Sequence, residues 1–158
     1  MAPLIRRGVQ VDAPVLKGLD AIVALGRARA ECTDHWLCDS PVLVAEVEGP
    51  AVGYGVFDLG LFGQSNVAML MIHEDYRGQK IGERILLMLE EFGDMPKFFV
   101  ATSQSSHRMQ RHLSRTGNRP GGCIHGLDPH DSQIVFVKDI GGGKNVYRAG
   151  VRTHGTVL

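Results

Sequence analysis

Ile72-His73-Glu74-Asp75-Tyr76-Arg77-Gly78-Gln79-Lys80-Ile81-Gly82-Glu83-Arg84-Ile85-Leu86 decides how this chain is read. It follows Asn66-Val67-Ala68-Met69-Leu70-Met71, and the continuous apolar run ending at Ile72 predicts a strand buried on both faces, the central one of a sheet. Beyond the turn, Ile81, Ile85, Leu86, Met88 and Leu89 share one helical face that ends near Phe92-Gly93, with Pro96 past it. A strand end, a glycine-containing turn and a helix start bring unpaired backbone N–H groups and the positive end of a helix dipole to one spot. That combination holds a phosphate or pyrophosphate, and Arg77 and Lys80 add positive charge. Neither G-x-x-x-x-G-K-[ST] nor G-x-G-x-x-G is present, so the P-loop and dinucleotide-fold readings fail. On their own, Gly78 and Gly82 also suit a tight turn and close helix packing.

Working outward, residues 97–102 read as a strand, residues 103–116 as a helix closed by Gly117, and residues 133–137 as a last strand. Before the central strand, residues 42–48 and 51–58 form a hairpin about Gly49-Pro50. Residues 4–11 suit a short strand, and Asp12-Ala13-Pro14 reads as a helix start. The apolar positions Val15, Leu19, Ile22, Val23 and Leu25 carry that helix to about Gly26. Between Arg27 and Ser40 the pattern is mixed, with Ala28, Cys32, Trp36 and Leu37 on one side of a second, shorter helix. The order β-α-(α)-β-β-β-α-β-α-β predicts an α/β fold with a mixed sheet: an antiparallel hairpin meander, then crossover helices.

The 158 residues suit one domain over residues 1–140, with residues 141–158 as a Gly-rich hinge and basic tail. A hydrophobic fraction of 44%, a charged fraction of 22% and 17 basic against 17 acidic residues argue against disorder and against a strongly cationic nucleic-acid binder. No apolar run approaches the roughly 20 residues of a membrane helix, and residues 1–10 lack the apolar core of a secretory signal. Three cysteines, an odd number, favour a reducing compartment, so a cytoplasmic location is expected. Cys32, His35, Cys38, Cys123 and His125 raise a zinc alternative, but the C-x₂₋₄-C spacing is missing; no metal is expected, and the cysteines read as small buried side chains. In the tail, Tyr147, Ala149, Val151 and Thr153 alternate with Arg148, Arg152 and His154, which suits a strand added to the chain's own sheet or exchanged in a homodimer.

The stretch Ile72–Gly82 resembles the acyl-CoA pyrophosphate loop of the GNAT superfamily of N-acetyltransferases, written Arg/Gln-x-x-Gly-x-Gly/Ala after a strand. Arg77 and Gly82 fall on that motif, while Lys80 stands where the family usually has glycine. The element order matches that fold over about residues 3–140. The resemblance implies acetyl-CoA as co-substrate, held by Met71, Ile72, Arg77, Gly78, Gln79, Lys80, Ile81 and Gly82, and direct transfer to a primary amine of a small molecule or protein. It also implies that the backbone N–H groups of Met71 and Ile72 hold the thioester carbonyl.

Residues 106–118 are similar to the family's late helix, Asn-x-x-Ala-x-x-x-Tyr-x-x-x-Gly-Phe. Gly117 matches; Ser106 replaces the Asn that contacts the pantetheine arm, Leu113 the Tyr often taken as general acid, and Asn118 the Phe. Leucine cannot donate a proton to the departing thiolate, so His112, a hydroxyl such as Tyr54, or solvent does so, or the thiolate leaves unassisted. The central strand carries no acid, which leaves Glu46, Glu48, Asp58 and His73 as candidate bases. For His73 the competing reading is a loop residue bonded to backbone. Trp36 falls in the segment that borders the acceptor cleft by resemblance, or else is core. The alternative to an enzyme is a non-catalytic CoA-binding or interaction module of the same fold, motivated by Lys80, Leu113 and the absent strand carboxylate.

Overall fold

The computed structural model describes residues 2–21 and 26–141. The chain divides into two compact units: Met1–Asp58 with Val67–Phe92, and Leu59–Asn66 with Gly93–Leu158.

In the first unit the strands β1 (Leu4–Arg7), β2 (Val42–Glu46), β3 (Ala51–Leu61) and β4 (Gln64–Ile72) lie side by side in that order. The helices are α1 (Ala13–Ala21), α2 (Gly26–Asp39) and α3 (Ile81–Glu90). β1 runs antiparallel to β2 with Arg6 opposite Val44, and β2 antiparallel to β3 with Val44 opposite Tyr54 and a bulge at Ala45/Glu46. Because side chains alternate along a strand, each strand contributes to two faces. One face buries Val42, Val44, Tyr54, Val56, Met69 and Met71 against Leu16 and Leu19 of α1, with Trp36 and Leu37 of α2 at its margin.

The other face carries α3, which β3 meets with Gly55, while its Gly53 lies against the end of β4. A Cβ on Gly55 would lie 2.4 Å from Ile85 Cγ2 and 3.0 Å from Leu89 Cδ1. One on Gly53 would lie 2.7 Å from the Met71 carbonyl oxygen and 2.6 Å from Ile72 Cδ1. The helix therefore rests on strand backbone. Ile81, Ile85, Leu86 and Leu89 are all buried, each worth about 1.5–3 kcal/mol of burial.

β4 corrects one expectation in degree. Val67, Met69 and Met71 are buried, whereas Ala68, Leu70 and Ile72 are half-buried, the last two beside Gly82 of α3. The second helix also differs: among the described residues α2 has 14 and α1 has 9, so α2 is not the short helix expected. It opens on Arg27-Ala28-Arg29-Ala30-Glu31, good helix formers that leave little apolar periodicity to read. Residues 22–25, where the first helix was expected to continue, lie outside the described residues. β1 stops at Arg7 because the chain turns into one helical turn, Gln10–Asp12, closed by the Asp12 carboxylate accepting the Val9 N–H at 2.8 Å.

In the second unit β5 (Lys97–Ser103), β7 (Asp131–Asp139) and β6 (Arg119–Asp128) are antiparallel in the order β5-β7-β6, with Phe99 opposite Val137 and Cys123 opposite Ile134. Helix α4 (His107–Arg115) starts four residues later than expected and is closed by Gly117 at φ +90°, the left-handed position that favours glycine. Strand β6 was not anticipated. It is exposed along its length except for half-buried Ile124, and Pro120, Gly121, Gly122 and Gly126 break any alternating pattern, which is tolerated at an outer strand. Among the described residues no helix is long and apolar enough to cross a membrane. The tail from residue 142 onward, including the expected added strand, lies outside the described residues.

Candidate functional site

The site grows from the end of β4. His73 donates its N–H to the Val52 carbonyl at 2.8 Å, and its Nδ1 accepts the Asp75 N–H at 3.2 Å. That bond caps a single helical turn, Glu74–Tyr76. Tyr76 packs edge-on against the imidazole, with ring centroids 5.9 Å apart, and Asp75 Oδ2 lies 3.7 Å from Nδ1. Arg77 then reverses the chain, its Nε donating to the Ile72 carbonyl at 3.0 Å. The loop is tied to the strand it has just left, and the Arg77 side chain remains exposed.

Two residues next adopt positive φ: Gly78 at 82° and Lys80 at 62°. A lysine in the left-handed region pays about 1–2 kcal/mol that glycine does not. Lys80 nevertheless holds the conformation that a glycine supplies at this place in the motif. Its carbonyl accepts the Arg84 N–H at 3.1 Å, the first bond of α3. Ile81, Gly82 and Glu83 precede Arg84, and a helix offers no carbonyl one turn below to the N–H groups of its first turn. These groups, the helix dipole, and the exposed Arg77 and Lys80 side chains belong to one loop, an arrangement suited to an anion such as pyrophosphate. A Cβ on Gly82 would sit 3.6 Å from both Ile72 Cγ1 and Leu70 Cδ2, so the protein itself leaves room for a methyl there.

The first unit thus brings together Met71, Ile72, His73, Arg77, Gly78, Gln79, Lys80, Ile81 and Gly82. Glu46 is engaged elsewhere, and Tyr54 meets Met71 only in the core on the α1 side of the sheet. Glu46 Oε1 accepts from Arg6 Nε at 2.8 Å, and the same guanidinium makes two bonds to Asp12, at 2.9 and 2.8 Å. These bonds hold the Asp12 carboxyl below the usual carboxylate range; the Val9 N–H works the same way and burial opposes it. Tyr54 is 0% exposed, on the face packed against α1.

Ser106 belongs to the second unit and precedes α4, where its carbonyl accepts the Gln110 N–H at 3.1 Å. Leu113, at the general-acid position of the resemblance, is 0% exposed. Trp36 is half-buried at the margin of the core. Contrary to expectation, Cys32, Cys38 and Cys123 are all exposed, because α2 turns both of its cysteines outward and β6 is exposed nearly throughout. Among the described residues no group of three or more His, Cys, Asp or Glu side chains is placed to hold a metal ion. Sequence reasoning passed over Ser105 and Asp131, which are 26 residues apart yet hydrogen-bonded; no local pattern links them.

The Acetyltransferase (GNAT) family matches residues 20–115, more than half of the chain. The chain belongs to this family. Among solved structures it is similar to a GNAT-family acetyltransferase from Bacillus cereus ATCC 10987, with a TM-score of 0.81 and 16% identity over 88% of this chain and 98% of that one. It is also similar to the ribosomal-protein-alanine N-acetyltransferase from Brucella melitensis, with a TM-score of 0.72 and 21% identity over 87% and 99% of the two chains. A third similar structure is yncA from Salmonella typhimurium, solved with its cofactor acetyl-CoA, with a TM-score of 0.72 and 15% identity over 88% and 94%. These likenesses establish the α/β acetyltransferase fold. No curated protein matches the chain.

Proposed function

We propose that this chain is an N-acetyltransferase that passes the acetyl group of acetyl-CoA directly to a primary amine. Lys80 is the observation that carries the reading: it departs from the glycine motif in sequence yet holds the left-handed conformation the loop needs. The pyrophosphate sits on the N–H groups from Gly78 to Gly82, with Arg77 and Lys80 beside it. Backbone N–H groups of Met71 and Ile72 polarise the thioester carbonyl. The neutral amine attacks the carbonyl carbon, the C–N bond forms and the C–S bond breaks. One amine proton leaves to a base, and the thiolate takes a proton from solvent, since Leu113 has none to give.

His73 serves as the base. Its Nδ1 already accepts the Asp75 N–H at 3.2 Å, so taking a proton there through water breaks that bond, and the new N–H turns to the Asp75 carboxylate, 3.7 Å away. Glu46 and Tyr54 are less suited, the first engaged by Arg6 and the second sealed in the core. His73→Ala is expected to lose turnover while keeping acetyl-CoA binding, and Glu46→Ala is not; the reverse would move the base to Glu46.

A second reading, a non-catalytic acyl-CoA binder, is favoured by the fully buried leucine at the general-acid position. Three free, exposed cysteines support a reducing compartment. Residues 142–158 lie outside the described residues; a strand there, added to the chain's own sheet or exchanged in a homodimer, is part of this proposal, and sedimentation of the full chain against a chain ending at Gly141 separates the two.

The deciding experiment is the melting temperature with and without acetyl-CoA. At about 100 times its dissociation constant the ligand adds about 2.7 kcal/mol, a shift of several degrees. No shift would overturn the acetyltransferase reading and leave a non-catalytic interaction module of the same fold. A shift without turnover on any amine would leave the second.

A further inference from the structure

We propose that Ser132 is an acylation site, a hydroxyl that takes an acyl group from an activated ester or thioester with His125 as its base. The two side chains meet across the hairpin of β6 and β7, with Ser132 Oγ 2.7 Å from His125 Nδ1. A serine hydroxyl is a weak nucleophile until an adjacent base within hydrogen-bond reach activates it. Both residues belong to the second unit, apart from the loop that follows β4. The strand pairing is irregular at this contact. Ile124 faces Gln133 and Asp128 faces Asp131, so His125, Gly126 and Leu127 stand against Ser132 alone. Gly126 takes up the excess at φ +90°, a conformation open to glycine. Bulges of this kind interrupt a ladder and re-aim a side chain.

The serine is held from both sides. The Ser132 carbonyl accepts the Gln104 N–H at 2.8 Å, the Asp131 carboxylate accepts the Ser105 N–H at 3.2 Å, and Gln133 Nε2 donates to Ser103 Oγ at 3.2 Å. The turn beyond is closed by the Asp128 carboxylate, which accepts the His130 N–H at 2.8 Å. Among the described residues the Ser132 hydroxyl has His125 as its partner, and His125 is exposed while Ser132 is half-buried. With the ring proton on Nε2, Nδ1 accepts the hydroxyl proton as Oγ attacks the acyl carbon. An O–C bond forms, the bond from that carbon to the leaving sulfur or aryl oxygen breaks, and the leaving group takes the proton from the imidazolium. The products are an O-acyl serine and a free thiol or phenol. Asp128 and Asp131 are engaged by backbone N–H groups, so the imidazole works as one half of a dyad, and a single modification of each chain is expected rather than rapid turnover.

The test treats the full chain with p-nitrophenyl acetate and follows acetylation peptide by peptide with mass spectrometry, in the wild type, His125→Gln and Ser132→Cys. Acetyl is expected on Ser132 of the wild type. His125→Gln keeps a hydrogen-bonding side chain that cannot take a proton, and is expected to slow labelling of Ser132 at least about 100-fold. The exposed thiols of Cys32 and Cys38, on α2 of the other unit, serve as internal references whose labelling His125→Gln leaves unchanged. Ser132→Cys leaves the imidazole in place, and its position 132 is expected to be acetylated faster than either reference thiol. A wild type without acetyl on Ser132, labelling of Ser132 that is indifferent to His125→Gln, or a thiol at position 132 no faster than the references would each overturn the proposal. Because the donor is an aryl ester, failure here leaves the acetyl-CoA reading untouched, and a chain that binds no acetyl-CoA still tests Ser132.

Discussion

Gly82 stands over Ile72 with room for one methyl group between them: a Cβ placed on the glycine would lie 3.6 Å from Ile72 Cγ1, an ordinary van der Waals distance. The fold leaves room for a methyl here, and the family's motif takes either glycine or alanine at this place. Gly82→Ala is therefore expected to fold normally, with stability unchanged or raised by up to about 1 kcal/mol from better helix propensity, and to keep its acetyl-CoA affinity, whereas Gly82→Glu, which sets a negative charge beside the proposed pyrophosphate site, is expected to lose it. Urea unfolding and calorimetry on the same samples check both halves. Undiminished affinity in Gly82→Glu would remove Gly82 from the proposed ligand site.

Lys80 pays for its backbone. Lys80→Gly is expected to stabilise the chain by about 1 kcal/mol, since glycine takes positive φ without steric cost. Lys80→Val is expected to destabilise it, because a β-branched residue is poorly accommodated there. The denaturant midpoints of the two variants should fall on opposite sides of the wild type.

The Arg6–Asp12–Glu46 cluster predicts an acid-sensitive link between β1, β2 and the turn before α1. Asp12 is held below the ordinary carboxylate range chiefly by its hydrogen bonds to Arg6. A depressed folded-state value gives stability that is fully present above the unfolded value of about 4 and is lost as pH falls through the folded one. Asp12→Asn should therefore cost about 1–2 kcal/mol near neutrality, moderated because Arg6 is partly solvated. The difference from the wild type should shrink below about pH 4. A gap that is flat across the acid range would show that the carboxylate's charge is not what holds the cluster.

At Gly55 the sign is opposite to Gly82. A Cβ would meet Ile85 Cγ2 at 2.4 Å, so Gly55→Val overpacks the contact between β3 and α3 and should cost about 1–3 kcal/mol. Thermal unfolding reads the loss, and a variant as stable as the wild type would mean that α3 moves away freely.

The elements that carry a strong apolar period were legible from sequence. The face of Ile81, Ile85 and Leu89 gave α3, and the run through Ile72 gave β4, because burial writes itself into side-chain spacing. β6 left no such trace: a strand with solvent on nearly all its side chains needs no alternation, and its glycines read as loop. α2 was underestimated for a related reason, since propensity holds it more visibly than amphipathic spacing does. At the site, the loop from Arg77 to Gly82 was visible because consecutive residues build it. The engagement of Glu46 by Arg6 was not, because it joins residues 40 positions apart. Nor could the sequence reveal that Tyr54 faces the core, as strand register decides which side a residue takes.

The two glycines of β3 have a further meaning for the loop. Gly53 meets the backbone at Met71 and Ile72, where β4 ends, and Gly55 meets α3, where the loop arrives. Both anchorages of the loop are thus seated on bare main chain, with no side chain to flex beneath them. The loop behaves like an instrument bolted to bedrock: its height above the sheet is set by backbone geometry, and adding a single carbon at either seat would move it out of calibration without touching a residue of the loop.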